Sequence, residues 1–442
     1  MQCYIYRFIS FFSCLTFLAT SVTIASFKKL KRSFTKKPVS VKPIKYQQLQ
    51  KDFNRLRTTP EHKLVFDLKY YCRVHGLDLQ EVNIVTSDGF ILTSQRLIDP
   101  NESKSDRNSR YPVLLLHGLL QSSASFLTSG ENGIGFYLFR SGYDVWLGNN
   151  RVGFDASSGH VEFKYKDRQM WNWGIKEMGT IDLACMINHI KKETFSEKVA
   201  SVAHSQGTTQ TFFALSKDHT PESGQSISCF CALSPAVYSG KLLQKPYWKF
   251  VRGLSSRMYD SWFGVHSFMP IMSTMHSNML SSRVYGFMGY LVFNYLFDWE
   301  DSLWDLEIRD RHFIFSPVYV SASLMKWWLG KGGFSDHGCI LEEYNSADNI
   351  ETVWFNEDFP PLALFLPYHD ELVDGLKLLN RIIKTESKVD LVKTVHSKDY
   401  SHSDVLWAMD VNEQIGKPLK KIIWKTAHDR ERRICPTGCE GL

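Results

Sequence analysis

The chain has 442 residues, of which 43% are hydrophobic, 14% aromatic and 22% charged. Those values exclude a disordered chain, a collagen-like repeat and a disulfide-stapled miniprotein, and they suit one large α/β domain with an insertion, or two domains. The formal charge of +6 suggests a nucleic-acid binder, but residues 1–37 hold seven basic residues and no acidic one, leaving 45 basic against 46 acidic beyond them; so neutral a body lacks a basic footprint, and no nucleic-acid partner is expected.

Residues 8–27, FISFFSCLTFLATSVTIASF, form an uncharged run of 20, about 30 Å of helix and so the thickness of a bilayer core. The expectation is an uncleaved single-pass anchor, 1–37 with its basic flank. A cleaved secretory signal is the alternative. Its apolar part would be unusually long, and a cut after Ser26 would leave bulky Ile24 at the −3 position. One basic residue precedes the run and six follow it, so the positive-inside rule puts the body in the cytosol. The expected compartment is the endoplasmic reticulum or a lipid droplet. A secretory or lysosomal body is the other reading. Only there would the sequon Asn101-Glu102-Ser103 be glycosylated, so a glycosidase-sensitive mass shift that disappears in Asn101→Gln would overturn the cytosolic assignment. Nine cysteines show no regular framework, and Cys435 and Cys439 lack a His/Cys partner set, so no metal is expected.

A polar linker, 38–64, leads to the body. In EVNIVTSDGFILTSQRLI, apolar and polar residues alternate around Asp88-Gly89, a strong hairpin pattern. Short apolar runs at 113–116, 143–147, 199–203, 227–233, 362–366 and 391–395 predict buried strands, with helical patterns at 177–192 and 208–216 between them. Such alternation predicts an α/β fold with a mostly parallel, doubly wound sheet. The core would span 65–239 and resume at 346–430 before a polar tail, 431–442. Between its halves, 240–345 is crowded with aromatic residues and Met. Its run 284–297 is uncharged but too short for a comfortable membrane span. The insertion is either a helical cap over a pocket or the core of a second subdomain.

Chemistry concentrates in SVAHSQGTTQ, where an apolar strand runs through His204-Ser205-Gln206-Gly207 into a helical pattern. This is the strand–turn–helix setting of a nucleophile elbow, which needs small residues two positions either side of the nucleophile, here Ala203 and Gly207. The early strand 113–116 ends in His117-Gly118-Leu119-Leu120. In a hydrolase such a loop supplies one backbone N–H of the oxyanion hole, at Leu119, and the residue after the nucleophile, Gln206, supplies the other. His117 is expected to brace this loop. An acid and a histidine should follow in the order Ser, Asp, His. Asp370 stands at the end of the 362–366 strand, and His402 follows the last strand and precedes a helical pattern. His402 would take the Ser205 proton while Asp370 holds its tautomer. His369, His396 and Asp374 are the nearby competitors. No metal or nucleotide motif is present, and no cofactor is expected.

The motifs LLLHGLLQSS (114–123), GYDVWLGNNR (142–151), AHSQGTTQ (203–210), ALSPA (232–236) and YSHSDVLWAMD (400–410) resemble those of the acid lipase family of α/β-hydrolases. That family includes gastric and lysosomal acid lipases and fungal membrane-anchored steryl ester hydrolases. The resemblance covers roughly residues 65–430. It implies an α/β-hydrolase fold with an inserted lid, and a nucleophile at Ser205, acid at Asp370, histidine at His402 and oxyanion donors at Leu119 and Gln206. The chain departs from the pattern where Ala203 replaces the elbow's first glycine and Pro367-Tyr368-His369 replaces a glycine-containing turn. It also has no counterpart of the cap cysteines of secreted animal members. The implied activity is hydrolysis of long-chain steryl esters or triacylglycerols by a serine esterase at a membrane or lipid-droplet surface. Its rivals are an acyltransferase using the same acyl-enzyme and a catalytically silent lipid-binding fold, which fluorophosphonate labelling of Ser205 would discriminate.

Overall fold

The computed structural model describes residues 2–34, 44–56, 63–153, 159–269, 275, 279, 282–297, 299–341 and 352–442. The alternating segment near the start of the body forms an antiparallel hairpin, β1 (Asp78–Val85) and β2 (Ile91–Ile98). Its turn requires Gly89, whose φ is +88° and whose missing Cβ would lie 2.8 Å from the His160 ring. The apolar runs become β3 (Tyr111–Leu116), β4 (Tyr143–Gly148), β5 (Val199–His204), β6 (Ile227–Leu233), β7 (Leu362–Pro367) and β8 (Leu391–Ser397).

One eight-stranded sheet results, in the order β1-β2-β4-β3-β5-β6-β7-β8. Its β1–β2 and β2–β4 pairings are antiparallel and the rest are parallel. Every residue of β3, β4, β5 and β6 is buried, as expected of parallel strands covered on both faces. From β3 the chain winds one way to β4, then returns to the other side through β5 and β6. The carboxyl ends of β3 and β5 therefore lie side by side at a topological switch point, where open α/β sheets form their binding crevice. Leu116 pairs with Ala203 there, which brings the 117–120 loop against the turn carrying Ser205.

The motif at 142–151 is a brace. Asp144 accepts two bonds from the Arg96 guanidinium and one from Trp146 Nε1, all fully buried. Arg151 bonds the buried Asp182 and reaches Asp88 in the hairpin turn at 2.9 Å. These charges are tolerated inside because each is paired and hydrogen-bonded.

Between β6 and β7 the chain leaves the sheet and forms helices Pro246–Gly253, Ser256–Phe263, Arg283–Phe297, Arg309–Ile314, Ala322–Leu329 and Phe334–His337. The apolar run 284–297 is thus one helix, with Tyr290, Leu291 and Phe293 buried against protein. The expected boundary at 345/346 lies outside the described residues.

Two segments depart from the sequence expectation. Part of the expected linker is a helix, Ile44–Leu56. Its buried Tyr46 donates to Asp410, which also accepts from Tyr400 and Lys45, while Leu49 and Phe53 pack on the core. The expected polar tail is also docked: Ile434 N–H bonds the Ser109 carbonyl, Arg433 bonds the Asn108 carbonyl, and Cys439 is buried. Cys14, Cys72, Cys185, Cys229, Cys231, Cys339, Cys435 and Cys439 are free thiols.

Among the described residues one helix is long and apolar enough to cross a membrane, Ile9–Phe27 within Gln2–Phe34, with 22% of that window buried against the protein.

Candidate active site

Ser205 occupies the turn between β5 and the helix Gln206–Leu215, with φ 50° and ψ −118°. A non-glycine residue at positive φ is strained, and the surroundings must hold it there. Its own N–H bonds the Leu233 carbonyl, and its carbonyl accepts from Thr208 N–H and Oγ1. Gly207 is obligatory, since a Cβ would lie 2.7 Å from the Leu116 carbonyl oxygen and 2.9 Å from that of His117. Ala203 is fully buried and keeps its place in the ladders to β3 and β6, so its methyl group is accommodated.

His402 Nε2 lies 2.8 Å from Ser205 Oγ, and His402 Nδ1 lies 2.7 Å from Asp370 Oδ2. The other oxygen, Asp370 Oδ1, accepts from Leu372 N–H and Val373 N–H at 3.0 and 3.1 Å. The Asp370 and His402 side chains are 4% and 3% exposed, so little water competes for these bonds. The three residues come from the ends of β5 and β7 and from the loop after β8, and the parallel register stacks those ends along one edge.

The 117–120 loop abuts this line, because a Cβ on Gly118 would meet Ser205 Cβ at 3.1 Å. Gln206 is the first residue of its helix, where backbone N–H groups have no intrahelical acceptor. The Gln206 side chain turns away to accept from Trp328 Nε1 at 2.8 Å. His117 donates from Nδ1 to the Gly118 carbonyl and accepts at Nε2 from Asn150 N–H. Burial pushes its pKa down to about 4, which keeps it neutral. Of the other competitors, Asp374 caps the helix Gly375–Lys384, His369 is exposed in its loop, and His396 lies on β8 beside Tyr368. None of them touches Ser205 or His402.

Several residues of the site were not apparent from the sequence. The His402 carbonyl accepts from Ser234 Oγ at 2.9 Å, with His204 Nε2 at 3.2 Å. His204 is fully buried, which drives its pKa far down. Asp404 is also fully buried and receives Ser401 N–H, Ser401 Oγ and Trp304 Nε1, the last from the insertion, at 2.6–2.7 Å. Burial raises its carboxyl to about 7 against the bonds from Ser401 and Trp304, with Glu300 adding to the rise. Between pH 4 and 7 the folded chain therefore holds a proton that the unfolded chain has released, so this group's stabilising contribution falls as pH rises through that window. The thermal midpoint of the wild type should decline relative to that of Asp404→Asn between pH 5 and 7.5. Parallel profiles would contradict this assignment.

Ser205 and His402 open on a cavity walled by Leu119, Leu243, Phe293, Phe297, Trp299 and Val373, among others. The Trp299 ring is stacked within 20° of the His402 plane at 6.4 Å. Among the described residues, Glu197, His428 and Asp429 have the spacing to hold a cation, but none of them lines this cavity.

The sheet order and the turn carrying Ser205 define an α/β-hydrolase, and comparison with known proteins identifies a carboxylic ester hydrolase. A partial alpha/beta-hydrolase lipase region is matched at residues 68–130 and the alpha/beta hydrolase fold at residues 111–276. The chain is 38% identical to sterol esterase 2 of Saccharomyces cerevisiae, over 83% of this chain and 73% of that protein. It is 28% identical to human lysosomal acid lipase/cholesteryl ester hydrolase, covering 76% and 85%, and 27% identical to human gastric triacylglycerol lipase, covering 79% and 88%. The chain belongs to the acid lipase family of α/β-hydrolases.

Proposed function

We propose that this protein is a membrane-associated serine lipase that hydrolyses long-chain fatty acyl esters, steryl esters or triacylglycerols, through Ser205, His402 and Asp370. The observation that carries this reading is the hydrogen-bonded line of those three side chains at the floor of an almost wholly apolar cavity. A polar substrate would find few partners there, whereas an acyl chain or sterol ring would bury hydrocarbon at about 25 cal/mol per Å².

His402 Nε2 takes the Ser205 proton as Oγ attacks the ester carbonyl. The oxygen that becomes anionic is received by the Leu119 and Gln206 amides, since donors fixed in place before the reaction stabilise the developing charge. The protonated His402, held by Asp370, then gives its proton to the departing sterol or glycerol oxygen. Water, deprotonated by His402, attacks the acyl-Ser205 and releases the fatty acid.

In this reading the insertion over 240–345 is the lid, and its Phe293, Phe297 and Trp299 cover Ser205. The N-terminal helix attaches the enzyme to a lipid surface, with the body on the cytosolic side. Its outward residues Phe11, Phe12, Leu15 and Phe27 are exposed and apolar, which a lipid surface would cover.

Release of radiolabelled oleate from cholesteryl oleate and triolein by the purified protein tests the reading and ranks the two substrates. We expect turnover of at least one ester, absent in Ser205→Ala. No release from either, with wild type and Ser205→Ala alike, would sink it.

A further inference from the structure

The N-terminal helix does more than project from the body. Ser10, Cys14, Ser21 and Ala25 are buried along one side of it, with Phe17 and Leu18 half-buried between them. Their spacing forms a single helical stripe of mostly small residues, which lets two backbones approach closely. The stripe lies against the helices Ser256–Phe263 and Arg283–Phe297 of the insertion. Cys14 Sγ donates to the Trp262 carbonyl at 3.1 Å, and the Phe17 ring meets Phe263 edge-on at 6.2 Å. The contact runs from Ser10 to Ala25, roughly 22 Å of helix.

Behind that contact is a second cavity. Phe17 and Leu18 form one of its walls, and Phe263, Phe268 and Val292 contribute to others. All its lining side chains are apolar, so it favours hydrocarbon over water. It shares Phe293, Phe297 and Leu329 with the cavity at Ser205, and these three side chains form the partition between the two. Leu119 lines the first cavity and its neighbour Leu120 the second. The second compartment therefore begins beside the loop that would receive the carbonyl oxygen.

Space open to water-sized molecules is about 50 Å³ in the first cavity and about 30 Å³ in the second. Drug-sized ligands occupy sites of roughly 300–1,000 Å³. A long acyl chain held at Ser205 must therefore displace the partition, and the apolar space beyond it is the one walled by Phe17 and Leu18.

We propose that Phe17 and Leu18 of the N-terminal helix close the compartment that takes the distal part of the acyl chain, so that this helix sets chain-length preference as well as attaching the protein to lipid. The assignment rests on the proposed ester hydrolysis at Ser205.

The test uses the full chain in detergent micelles and the ratio of kcat/KM for p-nitrophenyl oleate to that for p-nitrophenyl butyrate. Leu18→Trp fills the compartment and should lower the ratio about tenfold, the scale on which apolar pockets discriminate chain carbons. Thr20→Trp places the same side chain on the exposed side of the same helix, away from the compartment, and should leave the ratio at its wild-type value. Equal ratios in all three proteins would overturn the inference, as would an equal fall in both variants, which would make the helix a lipid-delivery element alone. Should Leu18→Trp fail to fold, Leu18→Ala decides. A rise in erucate over oleate turnover supports the compartment, and an unchanged ratio overturns it. Absence of wild-type turnover above Ser205→Ala would instead remove the ester-hydrolase reading, and this inference with it.

Discussion

Ser205→Ala is expected to lower ester hydrolysis by at least about 10⁴-fold, equivalent to about 5.5 kcal/mol of transition-state stabilisation, without displacing the fold. The hydroxyl is the Ser205 group hydrogen-bonded to His402, and the turn is held by backbone bonds that alanine retains. Oxyanion donors and substrate binding would survive, which sets the floor of residual activity. The same variant should lose labelling by a fluorophosphonate while keeping the wild-type thermal midpoint. Full activity or undiminished labelling in Ser205→Ala would exclude Ser205 as the nucleophile.

Asp370→Asn is expected to cost about 10⁴-fold in kcat with little change in structure. The direction follows from how the carboxylate is held. One oxygen accepts two backbone N–H bonds, from Leu372 and Val373, while the other faces His402 Nδ1. Asparagine keeps the first contacts only with its carbonyl oxygen in that place, which turns its NH₂ toward His402 Nδ1. The imidazole must then accept at Nδ1 and carry its proton on Nε2, where it can no longer take the Ser205 proton. A steady-state assay beside a thermal melt checks this. A loss smaller than tenfold would mean that another acid serves His402.

The elbow was legible because its demands are local: an apolar strand, a serine, a glycine two residues on and a helical pattern leave few alternatives within ten residues. The same holds for the hairpin at Asp88-Gly89 and for β3 to β7, since parallel strands buried on both faces appear as continuous apolar runs; β8, expected to be buried as well, is an edge strand whose Leu391, Val392 and Val395 are only half-buried, because no further strand covers its outer side. Asp370 and His402 were legible as an order along the chain and as strand ends. Asp404, Trp304 and Trp328 were not, although Asp404 lies within the motif YSHSDVLWAMD. Each depends on a partner far along the chain: Trp304 from the insertion bonds Asp404 at a separation of 100 residues, and Trp328 bonds the Gln206 side chain at a separation of 122. The helix Ile44–Leu56 escaped notice because its polar composition resembles a linker, and only Asp410, far along the chain, gives Tyr46 and Lys45 something to bind.

The sequence by itself determined the class of chemistry, the parallel sheet and the positions of the serine, acid and histidine candidates. It also determined that the +6 charge belongs to the first 37 residues rather than to the body. Only the tertiary structure decided which side of the apolar N-terminal helix packs against protein. An apolar helix reads the same in sequence whether lipid or protein covers it, because burial of hydrocarbon is non-directional. The stripe from Ser10 to Ala25 became distinguishable from the exposed apolar residues beside it only once the insertion's helices were in place against it.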